Sequence, residues 1–463
     1  GIAFAWEPGK AVYVNLARKD LFFPGTREPI LNFLANSKAV KIGHNLKFDC
    51  GVLRWHDCTV TGPFCDTMLA HYLLAPNARH TLDAIAAHEL NYHTISYHDL
   101  TEKGKYNLLE LPVEDVGRYC CEDTDIALQL ADKLIPEIEQ EDLKQAFELE
   151  CQLIPILVGM EYLGIAIDKA KLEAFSRQLE QAIIETREAI FSQCGVTFNL
   201  DSPKQLGEVL FEHLKLVDKP KRTPSGQYAT NERILTQLAP KFPIIQDILI
   251  YRQLTKLQNT YALKLPKMVS SRTNRIHASF NQISTITGRI SCDNPNLQNI
   301  PIRTPLGEEI RKVFIPGIEN GKLLSADYSQ IELRIMAHFS NSQPLLEAFA
   351  HGEDIHRSTA AHVFGVKAED VTDEMRSRAK MVNYGLAYGM SAYGLAQRLN
   401  ISNAEAKEIM DRYFSAFPEI RSFMDRTIEE ARQHGYVKTL LGRRRYLENI
   451  NSKNRNVREA EER

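Results

Sequence analysis

Leu323-Leu324-Ser325-Ala326-Asp327-Tyr328-Ser329-Gln330-Ile331-Glu332-Leu333-Arg334 is the stretch on which the reading of the chain turns, because it brings two carboxylates to one structural junction. The Leu323-Leu324 pair, bounded by Gly321 and by polar residues, predicts a short core strand. Gln330 to His338 predicts a helix with Ile331, Leu333, Ile335 and Met336 available for burial. Asp327 then stands at the carboxyl end of the strand, where a side chain reaches a cleft. The same residues also spell helix capping: Asp327 as N-cap with Gln330 at the third helical position, or Ser329 with Glu332 as a capping box. Downstream, Arg376, Lys380 and Tyr384 follow one another in steps of four residues, each of which advances a helix by roughly 40°, so the three share a face. Two cations and an aromatic ring on one face suit a nucleoside triphosphate, with charge for the phosphates and a flat surface for sugar and base. A solvated charged face is the alternative.

At 463 residues the chain is too long for one ordinary core, so two or more domains are expected. A composition of 44% hydrophobic and 25% charged residues is that of a soluble globular protein. The formal net charge of −3 carries no bulk signal for nucleic acid, which leaves any such contact to local basic patches. No apolar run approaches the ~18 to 20 residues of a membrane span, and no signal peptide opens the chain. The eight cysteines are scattered without metal-like spacing, and adjacent Cys120-Cys121 suits a disulfide poorly. They read as reduced packing thiols of a cytoplasmic protein.

From Gly1 to about Gln140, short apolar runs (Ala11 to Leu16, Ala39 to Gly43) alternate with helical patterns (Glu28 to Ala35, Thr67 to Leu74, Thr124 to Leu134), which predicts an α/β layer. From Glu141 to Ser271 the pattern is helical, over Ala146 to Tyr162 with a bend at Pro155 and over Lys169 to Cys194, with a strand-like Ile165 to Ile167 between them. Thr223-Pro224-Ser225-Gly226 is a turn sequence. The helical run Ile250 to Tyr261 presents Arg252, Lys256, Gln258 and Asn259. Beyond Arg275, Ile276 to Asn281 alternates as a sheet strand does.

Asp327 to Arg334, with Arg376-Ser377-Arg378-Ala379-Lys380, Asn383-Tyr384-Gly385 and Tyr388-Gly389, resembles motifs A and B of family A DNA polymerases of the bacterial DNA polymerase I type. The resemblance covers essentially the whole chain. It implies a multidomain α/β and α+β fold: a ribonuclease H-like 3′-5′ exonuclease domain over residues 1–140, lacking its first strand, then a right-hand polymerase domain over 141–463. Within the latter it implies a thumb (about 141–271), an incomplete palm (272–340), fingers (341–440) and the start of a return to the palm (441–463).

The reaction so implied is template-directed addition of deoxynucleotides to a primer 3′ end, in replication and repair, with two Mg2+ ions per active site. By resemblance Asp327 and the Tyr328 backbone hold metal, while Arg376 and Lys380 balance the triphosphate. His356 contacts that triphosphate, Gln330, Tyr384 and Tyr388 line the nucleotide site, and Glu332 lies under the sugar. Arg289 reaches the minor groove at the primer terminus, where acceptors common to all base pairs allow a test of pair geometry. Gln298, Asn299, Arg303, Lys256, Asn259 and Arg463 are the other DNA contacts implied. In the exonuclease part Asp49 and Asp123 are implied metal ligands and Tyr119 orients the attacking water. The expected partners are primer-template DNA and deoxynucleoside triphosphates, for a monomer with no membrane association in a bacterial cytoplasm, near the nucleoid.

The chain departs from the family pattern at both ends. No Asp-x-Glu pair precedes Phe4, and the family's His-Asp-Glu turn is absent, since His56-Asp57 and His98-Asp99 lie in the exonuclease-like part. The expectation is therefore a fragment, inactive by itself in primer extension and with a dead nuclease. A non-catalytic DNA-binding remnant, or a nuclease with an attached DNA-binding region, are the alternatives.

Overall fold

The computed structural model describes residues 1–16, 27–302 and 304–463. The chain divides into two compact units: Gly1–Leu69, Thr94–Ala131 and Glu150–Leu323 form one, and Ala70–His93, Asp132–Leu149 and Leu324–Arg463 the other.

The first unit opens with an antiparallel hairpin, Ile2–Glu7 against Lys10–Val14. Its turn residue Gly9 takes a positive φ of 77° and donates its amide to Asp125 Oδ1 at 2.8 Å. Lys41–Gly43 and Phe64–Asp66 then pair in parallel, joined through the helix Leu46–Trp55 as a parallel pair requires. Asp66 ends that second strand. Its buried carboxylate accepts from the amides of Asn45 (3.1 Å), Leu46 (2.7 Å), Met68 (2.9 Å) and Leu69 (3.4 Å), so one side chain ties together the starts of the helices Leu46–Trp55 and Thr67–Leu74.

Lys169–Cys194 is one long helix whose buried Leu172, Phe175, Leu179, Ile190 and Cys194 recur at helical spacing. That stripe packs on the helix Pro243–Leu257 and the π-helical turn Gln258–Ala262 after it. Asp168 caps the helix start by accepting from Lys171 N at 2.9 Å. Gly164, at φ 60°, carries the chain into Ala166–Ile167, which pairs antiparallel with Phe314–Ile315. Arg275 closes that corner by donating to the carbonyls of Leu163 (2.8 Å), Gly164 (3.2 Å) and Pro316 (3.1 Å).

The second unit is mostly helical, with the helices Ile331–Ser340, Ile355–Phe364, Asp373–Ala387, Asn403–Ala416 and Pro418–His434 around one core that includes Leu333, Val382, Leu386, Tyr413 and Phe417. A hairpin of Tyr436–Lys438 and Arg444–Tyr446 follows.

Two expectations are corrected here. Leu323-Leu324 forms no strand: residues 322–329 carry no ladder, and Leu324 is 93% exposed. A two-residue apolar run makes a strand only where a neighbour accepts its hydrogen bonds, and no described residue does so. Neither capping scheme is realised either. The helix begins at Ile331, its N-cap Gln330 is left-handed at φ 53° with no side-chain bond, and Asp327 Oδ1 instead accepts from Tyr328 N at 2.9 Å. The eight cysteines are all reduced. No helix among the described residues is long and apolar enough to cross a membrane.

Candidate active sites

In the second unit, the helix Asp373–Ala387 is capped by Thr372 and buries Ala379, Val382 and Leu386, which leaves Arg376 part-exposed and Lys380 exposed, with Tyr384 half-buried at the edge of the core. Arg376 Nε donates to Asp354 Oδ2 at 2.6 Å. The other oxygen of Asp354 caps the helix Ile355–Phe364, accepting from His356 N (3.0 Å) and Arg357 N (3.2 Å). Burial pushes the Asp354 carboxyl up, but the Arg376 guanidinium and the two amides outweigh it and hold the group below the usual aspartate range. Burial lowers the His356 imidazole; Asp354 opposes that shift, and the charges of Lys380 and Arg376 add to it. Its ring lies 5.7 Å from that of Tyr384. Tyr384 is shifted up by burial, then by the negative charges of Glu332 and Asp327, which act on its hydroxyl through space. Arginine, lysine, histidine, tyrosine and two carboxylates thus converge from three segments of the chain.

A cavity of about 250 Å3 opens beside them, lined by Ser329, Gln330, Arg334, Phe349, Gly352, Glu353 and Asp354. Tyr388 is exposed just past the helix, and the following Gly389 (φ 68°) lies against Arg463, whose Cα is 3.2 Å from where a Cβ would stand. Gly385 makes room for Met390, whose Sδ and Cε approach to 3.1 and 3.0 Å of the corresponding position.

In the first unit, Asp49 on the helix Leu46–Trp55 meets Asp123 on the helix Val113–Gln140. The Asp49 carboxyl is pushed up to about 7, by dense surroundings first and then by the charges of Asp66 and Asp123. Its residue remains accessible to solvent. Tyr119 bonds Asp123, and its phenol is raised by burial and by that carboxylate. Buried Asp66 is itself raised to about 6 by desolvation, against the pull of its four amide bonds.

Elsewhere in the first unit Lys256 and Asn259 are exposed, whereas Arg252 donates to the Thr230 carbonyl at 2.5 Å and Gln258 is buried against Ser176. Tyr261 Oη donates to the Asn299 carbonyl at 2.5 Å, and Gln298 Nε2 to the Ile290 carbonyl at 2.9 Å. This joins the segment holding exposed Arg289, Gln298 and Asn299 to the end of the Lys256 helix. Arg303 lies outside the described residues.

Among the described residues no group of three or more His, Cys, Asp or Glu side chains is arranged to hold a metal ion. The donors that do gather, Asp49 and Asp123, are hard carboxylate oxygens, the ligand class of Mg2+. Asp66, Asp354, Thr359 and Asn383 did not stand out in the sequence. The signal for Asp354 was its place two residues before His356, and for Asn383 its place in the run Asn383-Tyr384-Gly385.

Residues 169–463 match the model for DNA polymerase family A, and residues 2–139 match a 3′-5′ exonuclease model. The chain belongs to DNA polymerase family A. It is 41% identical to the DNA polymerase I of Pseudomonas aeruginosa over 100% of its own length and 52% of that protein's. It is 42% identical to the DNA polymerase I of Geobacillus stearothermophilus over 89% of its own length and 47% of the relative's. The chain therefore spans about half the length of these curated relatives. Among solved structures it is similar to the POL domain of Pol1 from M. smegmatis, in complex with DNA primer-template and dNTP, with a TM-score of 0.86, 39% identity, and coverage of 96% of this chain and 75% of that one. The family fold is thus an exonuclease domain followed by a polymerase domain.

Proposed function

We propose that the chain binds a primer-template and a deoxynucleoside triphosphate and carries the nucleotide-selecting half of a template-directed DNA polymerase. The observation that supports this most is the convergence of Arg376, Lys380, His356 and Tyr384 with Asp327 and Glu332. Arg376 and Lys380 bind the triphosphate and offset charge on the departing pyrophosphate, and His356 donates to a phosphate oxygen. Tyr384, with Tyr388 beyond it, packs against base and sugar, Gln330 lines the adjoining cavity, and Glu332 excludes a ribose 2′-hydroxyl. Asp327 and the Tyr328 carbonyl would hold Mg2+ here, and Asp49 with Asp123 would hold it in the exonuclease part; when bound it offsets phosphate charge. Arg289, Gln298, Asn299, Lys256, Asn259, Arg303 and Arg463 contact DNA. In the same reading residues 1–140 are the exonuclease domain and 141–463 the polymerase domain, subdivided at about 271, 340 and 440, of a monomeric bacterial cytoplasmic protein.

The test is the retention of the chain on a primer-template whose primer ends in a dideoxynucleotide, with Mg2+ and either the complementary or a mismatched dNTP. Complementary dNTP alone should slow dissociation. Arg376→Ala should abolish that effect while leaving nucleotide-free DNA binding intact. Equal retention with every dNTP and with none would favour a plain DNA-binding protein instead.

A further inference from the structure

Asn383 sits on the helix Asp373–Ala387 beside Tyr384 but faces the other way, into the core, where it is 1% exposed. Such a buried amide carries two donors and an acceptor that all need partners. It finds them in His356, 3% exposed, and Thr359, which is fully buried. Asn383 Nδ2 lies 3.1 Å from His356 Nδ1 and 3.1 Å from Thr359 Oγ1, and Thr359 Oγ1 donates to Asn383 Oδ1 at 3.1 Å. The His356 backbone is fixed as well, because its amide is bonded to the Asp354 cap.

We propose that Asn383 is a positioning residue, which by donating to Nδ1 keeps His356 in the tautomer protonated at Nε2, so that the ring presents a donor to the phosphates of a bound nucleotide. The inference rests on the nucleotide-binding reading above. A neutral imidazole carries one N–H, and a donor facing Nδ1 makes that nitrogen the acceptor, so the hydrogen belongs on Nε2. A triphosphate offers only acceptors. A ring with its hydrogen on Nδ1 would turn a lone pair toward it, whereas the Nε2–H form adds a charge-assisted bond to those of Arg376 and Lys380. Thr359 contributes by holding the amide plane beside the ring, its hydroxyl lying 3.1 Å from both amide atoms. The groups acting on the ring charge are Asp354, Lys380 and Arg376, and their balance with burial keeps it neutral.

The experiment is nitrogen NMR of the 463-residue chain labelled with 15N-histidine, with the His356 signals among the 14 histidines identified by their loss in His356→Gln. At neutral pH without nucleotide, His356 should show a protonated Nε2 and a bare Nδ1. Asn383→Asp, when ionised, can only accept at this position, and should move a proton onto Nδ1. Asn383→Leu should weaken binding of a complementary dNTP to the chain on primer-template by about tenfold, the loss of one charge-assisted bond, and leave nucleotide-free DNA binding unchanged. Thr359→Val should shift the tautomer balance in the same direction, and serves if the leucine variant does not fold. A wild-type ring protonated on Nδ1 overturns the proposal, as does an Asn383→Leu chain that binds dNTP like the parent. Should the chain bind no dNTP while His356 is the Nε2–H form, the nucleotide reading fails and the tautomer assignment stands.

Discussion

Asp49 shows how much of a site lies in one titration. Its folded-state value of about 7 is raised above the ordinary carboxylate value, so the folded chain holds a proton that the unfolded chain has given up. Stability is therefore unaffected at pH values below about 4, falls as pH rises from there to about 7, and bears the full penalty above it. Asparagine has no charge to lose, so Asp49→Asn should leave the melting temperature unchanged at pH 4 and raise it by on the order of 2 °C at pH 8, a modest gain because solvent reaches the group. Calorimetric scans across that range check it; a stabilisation independent of pH would point to packing rather than charge. Asp49 and Asp123 were legible as candidates only through the family resemblance, and Arg376, Lys380 and Tyr384 also from their spacing. Asp66 and Asn383 were not, since an aspartate or asparagine in one-letter form carries no mark of the four amides or the imidazole that only the folded chain brings to it.

At the scale of elements, long helices were the most readable. Lys169 to Cys194 and Thr67 to Leu74 have the bounds their patterns predict, the first because a periodic apolar stripe between Asp168 and Gly195 acts locally, the second as an almost wholly apolar run. The Leu323-Leu324 strand failed because a strand is a relation between two segments, which a run of two leucines cannot specify. Gly164 and Gly195 make that contrast measurable. Both have positive φ, 60° and 69°, so alanine costs about 1 kcal/mol of backbone strain at either. Beyond Gly195 lies open space, whereas a Cβ on Gly164 would run into the Ile276 carbonyl and come within 2.8 Å of His277 Nδ1. Gly195→Ala should cost about 1 kcal/mol in denaturant unfolding and Gly164→Ala about 3 kcal/mol or more, since backbone cannot step aside; equal losses would mean the corner at Gly164 relaxes freely. Gly385 is the opposite case. Its φ is helical and its neighbour is the flexible end of Met390, so Gly385→Ala should stabilise the chain by about 0.5 kcal/mol, part of the propensity gain of about 1 kcal/mol. A large loss of stability, or of dNTP-dependent DNA retention, would assign that glycine a hinge role instead.

For the whole molecule, charge is where the sequence is most easily misread. With 56 basic against 59 acidic residues there is no net attraction for DNA, so binding has to come from particular side chains. Gly442-Arg443-Arg444-Arg445-Tyr446 is the most basic stretch, yet its central residue is not available. The Arg444 side chain is 9% exposed, ion-paired to Glu141 and stacked 4.5 Å over the Tyr436 ring, and Arg443 lies 5.4 Å over Tyr72. Arg458 in the last helix is likewise engaged by Glu462 at 3.3 Å. Lys256, by contrast, is solvent-exposed on its helix. Each phosphate neutralised contributes about 0.9 to the slope of log affinity against log salt, because a condensed counterion is released. Lys256→Ala should therefore weaken primer-template binding and make that slope shallower by about one. Arg444→Ala should leave the slope unchanged while lowering the melting temperature, since it strips Glu141 of its partner rather than DNA of a contact. Anisotropy titrations at several salt concentrations separate the two. If Arg444→Ala flattens the slope and Lys256→Ala does not, the basic hairpin is the DNA-facing surface and the Arg444–Glu141 pair is not maintained on DNA.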